Sequence, residues 1–126
     1  MTNFKKHFFT KEHEWLTVEE DIATIGITDF AQSELGDIIF IELPSAGDSF
    51  KSEEVFGTIE AVKTVADLFM PISGDIIEIN SDIEDNPDFV NNSPYSEGWI
   101  IKIKVTNPGE LKSLLDHTEY EKLING

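Results

Sequence analysis

The sequence predicts a small, mostly β fold of the sandwich or barrel type, and three observations support this prediction. Six short segments are rich in Val, Ile, Phe and Thr, as strands are. They are Asp21–Ile27, Asp37–Leu43, Val55–Ala61, Thr64–Met70, Asp75–Ile79 and Trp99–Val105. Stretches rich in Pro, Gly, Asn and Asp separate them, and patterns typical of helices are scarce. With 126 residues, the chain suits one domain over residues 1–126 with a single core.

An internal repeat indicates that the fold has two related halves. The tetrapeptide GDII occurs at Gly36–Ile39 and again at Gly74–Ile77. Each copy is followed by alternating apolar residues and then by a turn, and the two copies lie on either side of a single lysine, Lys63. We therefore expect two hairpin units related by an approximate two-fold axis.

Helix is predicted in two places. A short helix after the second major strand should cover Thr28–Gly36, because a Thr or Asp can cap its start and a Gly can close it. A C-terminal helical segment is expected at about 107–124. Asn107 can cap it, Pro108 suits its first position, and Glu110 lies where a capping box requires an acid.

A second helix start within this C-terminal segment predicts a break in it. Thr118 followed by Glu121 has the spacing of another capping box, so the break should fall near His117. Three leucines between residues 111 and 115 form an apolar stripe. We expect the segment to pack across the sheet through this stripe.

Charge and composition exclude several functions. The chain has 25 acidic residues against nine lysines and no arginine, which gives a formal net charge of −16. Such a chain is repelled by phosphate backbones and by anionic membrane surfaces, and it lacks the guanidinium group that reads both phosphate and guanine. We therefore expect no binding to nucleic acid or to membrane, and partner proteins with basic surfaces.

The absence of cysteine excludes disulfides, thiolate nucleophiles and cysteine-based metal sites. Any sulfur chemistry would need an attached group. No apolar stretch approaches the roughly 20 residues that span a bilayer, and the N-terminal residues resemble neither a signal peptide nor a transit peptide. A cytoplasmic protein is expected, with the mature form of a mitochondrial matrix protein as the alternative.

Lys63 stands in the middle of the apolar run VFGTIEAVKTVADLFMP. Two of the predicted strands, Val55–Ala61 and Thr64–Met70, would form a hairpin with Val62 and Lys63 near its tip. There the amine reaches water without a desolvation cost. The run lacks the Asn-Gly or Asp-Gly pair of ordinary tight hairpins, so the tip would hold the lysine in a defined position. The plainer interpretation is a solvated surface lysine.

Residues 57–80, GTIEAVKTVADLFMPISGDIIEIN, resemble the lipoyl-attachment region of the glycine cleavage H-protein family. The resemblance extends to the stretch from HEW at residue 13 through GITDFAQ, and to NNSPYSEGWIIKIK at residues 91–104. It implies a barrel-sandwich hybrid of two related hairpin halves. The sequence departs from the family pattern at Ala61, where Ser is frequent, at the TVAD stretch, and at Glu12, where a small hydroxyl residue is frequent.

The resemblance implies a carrier protein without catalytic activity of its own. Lipoic acid would be bound to Lys63 as an amide, and a lipoate-attaching enzyme would place it there. The arm would take an aminomethyl group from a pyridoxal-phosphate glycine decarboxylase to a tetrahydrofolate-dependent aminomethyltransferase. A flavin-dependent dihydrolipoyl dehydrogenase would then reoxidise the arm. A monomer is expected, because the carrier visits several enzymes.

Three acidic residues are candidates for supporting roles under this resemblance. Glu14 and Asp67 would hold the cationic amine of the loaded arm, since carboxylates shield such a group in a cleft. Glu60, three residues before Lys63, would help the attaching enzyme recognise the hairpin. The alternative for all three is that they are ordinary solvated acids in a very acidic chain.

Other carriers and other classes remain alternatives. Biotin acceptors usually have Met on both sides of the lysine, where this chain has Val62 and Thr64. Lipoyl domains of 2-oxo-acid dehydrogenases usually have Asp before the lysine and lack HEW and GITDFAQ. A lipoyl relay protein that donates lipoate to other enzymes stays open, as does an unmodified acidic interaction domain.

An enzyme or a metal site has little support in the sequence. The three histidines, His7, His13 and His117, are scattered, and His13-Glu14 lacks the second His of the zinc-hydrolase helix motif. The acidic stretch from Asp82 lacks the Gly and Glu that an EF-hand loop needs. We interpret this stretch as an acidic turn.

Overall fold

A computed structural model describes residues 4–125 and arranges nine strands of this part of the chain in two sheets. The strands are β1 (His7–Phe9), β2 (Glu14–Glu19), β3 (Ile22–Ile27), β4 (Ile38–Glu42), β5 (Ser49–Phe50), β6 (Val55–Ala61), β7 (Val65–Phe69), β8 (Gly74–Ile79) and β9 (Ile101–Val105). The helices are α1 (Asp29–Leu35), α2 (Asp82–Asp85), α3 (Asp88–Asn92), a 3₁₀ helix (Pro108–Ser113) and α4 (His117–Asn125). The predicted mostly β fold is confirmed.

The two sheets share one apolar core, as expected of a barrel-sandwich hybrid. The six-stranded sheet has the order β1-β2-β3-β9-β8-β5 and the three-stranded sheet has the order β4-β6-β7. Buried side chains of the first sheet, such as Ile25 and Ile103, belong to the same cluster as Ile41 and Ile59 of the second. Burial of this apolar surface is the main stabilising contribution to the fold.

The two GDII copies open strands of different sheets. The first leads into β4 of the three-stranded sheet, and the second forms the start of β8 in the six-stranded sheet. The hairpin of β6 and β7 lies between them in the chain, and its two strands pair directly from Val55↔Phe69 to Glu60↔Val65. The prediction of two related halves around Lys63 therefore agrees with the arrangement of the sheets.

Some elements were missed by the sequence analysis. Strands β1, β2 and β5 were not predicted, and the acidic turn from Asp82 was wrong, since α2 and α3 form there. Ile83 and Val90 are both fully buried in these helices. An isolated apolar residue among acids gave too weak a periodicity to predict a helix, and tertiary burial of these side chains decided the structure.

The C-terminal segment is helical in two parts, but its caps differ from the prediction. Asn107 makes no side-chain cap, and the Glu110 carboxylate accepts hydrogen bonds from the Ser73 backbone and hydroxyl instead. The second helix starts at His117, where Asp116 and Glu119 form a reciprocal capping box. The predicted cap at Thr118 was therefore two residues too late, since the observed cap is Asp116, whose spacing to Glu119 is that of a capping box.

Within residues 4–125, no helix has the length and hydropathy that crossing a bilayer requires.

Candidate functional site

Lys63 lies exposed in the turn that joins β6 to β7. The Ala61 N–H donates to the Thr64 carbonyl at 2.8 Å and closes a two-residue turn of Val62 and Lys63. The Val62 N–H donates to the Asp37 carbonyl at 3.0 Å. The tip is therefore bonded both within itself and to the segment that precedes β4, which gives the lysine a defined position.

The turn differs from the usual two-residue hairpin connection. Among the described residues other than glycine, only His13, Glu20 and Glu53 have a positive φ. Val62 and Lys63 therefore both have a negative φ, whereas the common type I′ turn requires positive values at both positions. The bond from the Val62 N–H to the neighbouring segment helps to hold this less common turn in place.

Gly36 leaves space beside the Lys63 side chain. It ends α1 with φ +79° and ψ −158°, a region that is open essentially to glycine alone. A Cβ at Gly36 would lie 3.6 Å from Lys63 Cε and 3.9 Å from Nζ. The amine therefore rests near the carboxyl end of α1, where the partial negative charge of a helix favours a cation.

Glu60 lies in an exposed row that crosses the three-stranded sheet. It pairs with Phe40 on one side and with Val65 on the other, so the three side chains point to the same face. Phe40 is 53% exposed and Val65 is 63% exposed. Val62, 70% exposed, adds another apolar group at the tip. The hairpin that carries Lys63 thus presents exposed apolar side chains together with the Glu60 carboxylate.

A cavity of about 390 Å³ opens between α1 and β7, an edge strand of the three-stranded sheet. Its walls are largely apolar and combine residues of α1 with residues of β6 and β7, together with part of β3. The apolar lining residues are Ile27, Phe30, Ala31, Leu35, Ile59, Ala66 and Leu68. Leu35, one of these lining residues, directly precedes Gly36 in the sequence, and a Cβ at Gly36 would lie close to the Lys63 side chain.

Four titratable residues line the same cavity. Three are acids, Glu12, Glu34 and Asp67, and the fourth is His13. Burial lowers the pKa of His13 below its ordinary value, although Glu12 and Glu34 act in the opposite direction. A cavity with apolar walls and three carboxylates suits a ligand with an apolar body and a cationic end.

Glu14 is brought near this cavity but is not among the residues that line it. It is only 2% exposed, and both carboxylate oxygens are engaged. Thr10 Oγ donates to Oε1 at 3.0 Å and the Phe69 N–H donates to Oε2 at 3.0 Å. Burial raises its pKa to about 8. Asp67 thus lies in the cavity wall, whereas Glu14 lies behind the wall and beside the end of β7.

A hydrogen-bonded chain that the sequence analysis missed joins the cavity to the C-terminal helix. The Tyr120 hydroxyl lies 2.8 Å from His13 Nδ1 and 2.7 Å from Thr28 Oγ. Thr28 Oγ also accepts a bond from the Ala31 N–H at 3.1 Å and so caps α1. No local pattern pairs residues more than ninety positions apart, so the sequence carried no signal for this contact.

Another cavity is less suited to a group attached to Lys63, and the described residues offer no metal site. A larger cavity of about 680 Å³ lies between the start of α1, the turn at residues 92–96 and α4, and it contains no residue of β6, β7 or their turn. Within residues 4–125, no group of three or more His, Asp or Glu side chains is arranged to hold a metal ion. The cavity beside α1 and β7 is the candidate site because residues of both strands of the Lys63 hairpin line it.

Comparison with known proteins identifies the family. The sequence profile described as Glycine cleavage H-protein matches residues 7–126. The chain is 50% identical over 117 residues to a glycine cleavage system H protein of Bacteroides fragilis, with 93% of each chain covered. It is 49% identical over 125 residues to that of Bacteroides thetaiotaomicron, covering 98% of this chain and 99% of the relative.

A solved structure extends the likeness to three dimensions. The crystal structure of a glycine cleavage system H protein from Mycobacterium marinum superposes with a TM-score of 0.89 at 33% identity. The match covers 96% of this chain and 98% of the other. The chain therefore belongs to the family of glycine cleavage system H proteins, which are lipoyl carriers.

Proposed function

We propose that the protein carries a lipoyl group on Lys63 and shuttles an aminomethyl group within the glycine cleavage system. The donor would be the pyridoxal-phosphate glycine decarboxylase and the acceptor enzyme the tetrahydrofolate-dependent aminomethyltransferase. Dihydrolipoyl dehydrogenase would restore the carrier, which itself would catalyse none of these reactions. The observation that carries this proposal is the exposed Lys63 in a turn bonded to the body of the protein.

The surroundings of Lys63 fit a lipoyl group. A long apolar arm attached at Nζ would start beside Gly36, one residue from the cavity, and that cavity is lined mostly by apolar side chains. When bound, the group supplies a dithiolane that can be reduced and can accept a substituent, which explains how a chain without cysteine takes part in sulfur chemistry. Attachment also raises the concentration of the reactive end at each partner to about the millimolar range.

Asp67 is the proposed direct partner of a cationic amine in the cavity. It is exposed, it lies on the edge strand β7, and it shares the cavity with Glu12 and Glu34. An ammonium group placed there would gain charge-assisted hydrogen bonds, and the apolar walls would shield part of it from water. Glu12 stands where the family often has a small hydroxyl residue, so it adds a negative charge to this cavity.

Glu14 would act on the same amine through its charge. Because the carboxyl is buried, a proton stabilises it in the absence of a nearby cation, and its pKa rises to about 8. A cation in the neighbouring cavity would favour the ionised form and lower this pKa. Entry of the amine would therefore be coupled to release of a proton from Glu14.

Glu60 is proposed to guide the lipoate-attaching enzyme. Any enzyme that acylates Nζ must cover the tip of the hairpin, and the row of Phe40, Glu60 and Val65 lies on the exposed face beside it. A basic residue on the enzyme would pair with Glu60, while Phe40 and Val65 would be buried. The net charge of −16 would steer such basic surfaces toward the carrier.

The proposed shuttle function is tested by exchange of bicarbonate with the carboxyl group of glycine. Glycine decarboxylase should catalyse this exchange when the lipoylated protein is added, and should not do so with Lys63→Arg. A lipoate transfer assay to an acceptor domain of another enzyme, run in parallel, tests the relay alternative. Transfer without exchange would contradict the shuttle and support the relay. Failure of the protein to accept lipoate at all would support an unmodified interaction domain.

A further inference from the structure

We propose that Asn91 of α3 is a positioning residue for Lys63, and that it acts through the segment at residues 36–38. This inference rests on the proposed role of Lys63 as the lipoylated residue. It gives a function to the acidic stretch after β8, which the sequence analysis interpreted as a plain turn.

The Asn91 side chain binds the segment on both sides of Asp37. Its Oδ1 accepts a hydrogen bond from the Ile38 N–H at 3.0 Å. Its Nδ2 donates to the Gly36 carbonyl at 2.9 Å and to Gln32 Oε1 at 3.0 Å. One amide thus uses both its donor and its acceptor to hold the connection between α1 and β4.

The lysine turn depends on the residue between these two bonds. The Asp37 carbonyl accepts the hydrogen bond from the Val62 N–H, and a Cβ added at Gly36 would meet the Lys63 side chain. Residues 36 and 38 are fixed by Asn91 while residue 37 fixes the turn. Asn91 therefore holds both neighbours of Asp37, and Asp37 holds Val62, the residue before Lys63.

Asn91 lies on a helix that is anchored in the main core. Val90, its neighbour in α3, is fully buried in the main core. Short helices that are anchored in this way transmit a fixed geometry, because packed cores deform little. A series of contacts thus runs from the core through α3 and residues 36–38 to Val62. It explains how a turn of exposed residues acquires a defined position that a partner enzyme can recognise.

Asn80 provides a matched control. Its side chain also makes three hydrogen bonds to neighbouring groups, through Nδ2 to the carbonyls of Glu97 and Trp99 and through Oδ1 from the Asp82 N–H. None of these partners is bonded to the lysine turn. Asn80→Ala therefore removes a comparable network, and it should destabilise the protein without disturbing Lys63.

The experiment compares Asn91→Ala with Asn80→Ala in the apo protein. Hydrogen exchange at the Val62 amide, followed by NMR and corrected for the global stability of each variant, should accelerate about tenfold in Asn91→Ala, as expected for loss of a supporting network worth one or two hydrogen bonds. It should stay within about twofold of wild type in Asn80→Ala. Equal exchange at Val62 in the two variants would overturn the proposal.

Lipoylation gives a second readout. With a lipoate ligase, lipoate and ATP, kcat/KM should fall about tenfold in Asn91→Ala relative to Asn80→Ala, because small misplacements of a reacting group are costly. If Asn91→Ala does not fold, Asn91→Asp is compared with Asn80→Asp. Each keeps its acceptor, adds one negative charge and loses the donor to two neighbouring oxygens. If the wild-type protein accepts no lipoate, the proposed function fails, but the exchange at Val62 still decides the role of Asn91.

Discussion

The backbone N–H of Phe69 donates a 3.0 Å hydrogen bond to the buried carboxylate of Glu14, and this contact ties the end of β7 to β2. It places an ionisable group behind the wall of the cavity beside Lys63. Because the carboxyl is removed from water, its pKa is raised from 4.5 to about 8. The ionisation of Glu14 therefore affects both the stability of the fold and the charge near the proposed site of the arm.

The first prediction concerns the pH dependence of stability. Between pH 4.5 and about 8, Glu14 ionises in the unfolded chain while it stays protonated in the folded protein. The contribution of Glu14 to the free energy of unfolding is therefore largest below pH 4.5. It is lost as the pH rises toward 8, by up to about 1.4 kcal/mol per pH unit. Urea unfolding over this range should show wild type losing stability relative to Glu14→Gln.

Glu19→Gln is the control for this experiment, because it makes the same charge change at an exposed position of the same strand, β2. Its unfolding free energy should run parallel to that of wild type over the whole pH range. Parallel curves for wild type and Glu14→Gln would contradict the raised pKa of Glu14.

The second prediction concerns Gly36. Its φ of +79° and ψ of −158° strain any residue with a Cβ, so Gly36→Ala should lower the free energy of unfolding by about 1–3 kcal/mol. It should also slow lipoylation, since the added methyl group would touch Lys63 Cε. Gly47→Ala is the control: its φ is +98° and nothing lies within 4 Å of the added Cβ. Equal lipoylation rates in the two variants would argue against a role for Gly36 in placing the lysine.

The third prediction concerns retention of the loaded arm. Asp67→Asn should increase the rate at which the aminomethyl-loaded protein releases formaldehyde in the absence of enzymes, by about fivefold, because an exposed ion pair is worth up to about 1 kcal/mol. Glu42→Gln is the matched control, since Glu42 is exposed in the same cross-strand row but does not line the cavity. If both variants decay at the wild-type rate, Asp67 does not hold the amine.

The fourth prediction concerns the contact between α4 and the cavity. Tyr120→Phe keeps the ring stacked on Phe9 at 4.7 Å but removes the hydroxyl that His13 and Thr28 share. The free energy of unfolding should fall by about 1–3 kcal/mol, because buried groups lose a partner. Hydrogen exchange of the α4 amides should also be faster in Tyr120→Phe than in wild type. An unchanged unfolding midpoint would show that the shared hydroxyl contributes nothing to docking α4.

The sequence predicted the hairpin of Lys63 well, because its strands are rich in β-branched and apolar residues and its tip carries the one charged residue between Ala61 and Ala66. It also predicted α1, whose Thr28 cap and closing Gly36 are both observed. These features depend on residues that are neighbours in the sequence, and local sequence patterns therefore predicted them.

Long-range contacts could not be predicted in the same way. The bond between Glu14 and the Phe69 amide, the shared hydroxyl of Tyr120 and the network of Asn91 all join residues that are more than fifty positions apart. Their geometry is decided by how the two sheets pack around the core. The roles of Glu14, Glu60 and Asp67 remain predictions. The experiments above test the raised pKa of Glu14 and the contact of Asp67 with the amine.

The most direct test of the account is the intact mass of the protein before and after incubation with a lipoate ligase, lipoate and ATP. We expect a single lipoyl addition on wild type, none on Lys63→Arg, and an unchanged addition on Lys102→Arg, a lysine of β9 in the other sheet. Peptide mapping should locate the group on Lys63. A folded wild-type protein that gains no lipoyl group, or a Lys63→Arg variant that still gains one, would contradict the central claim.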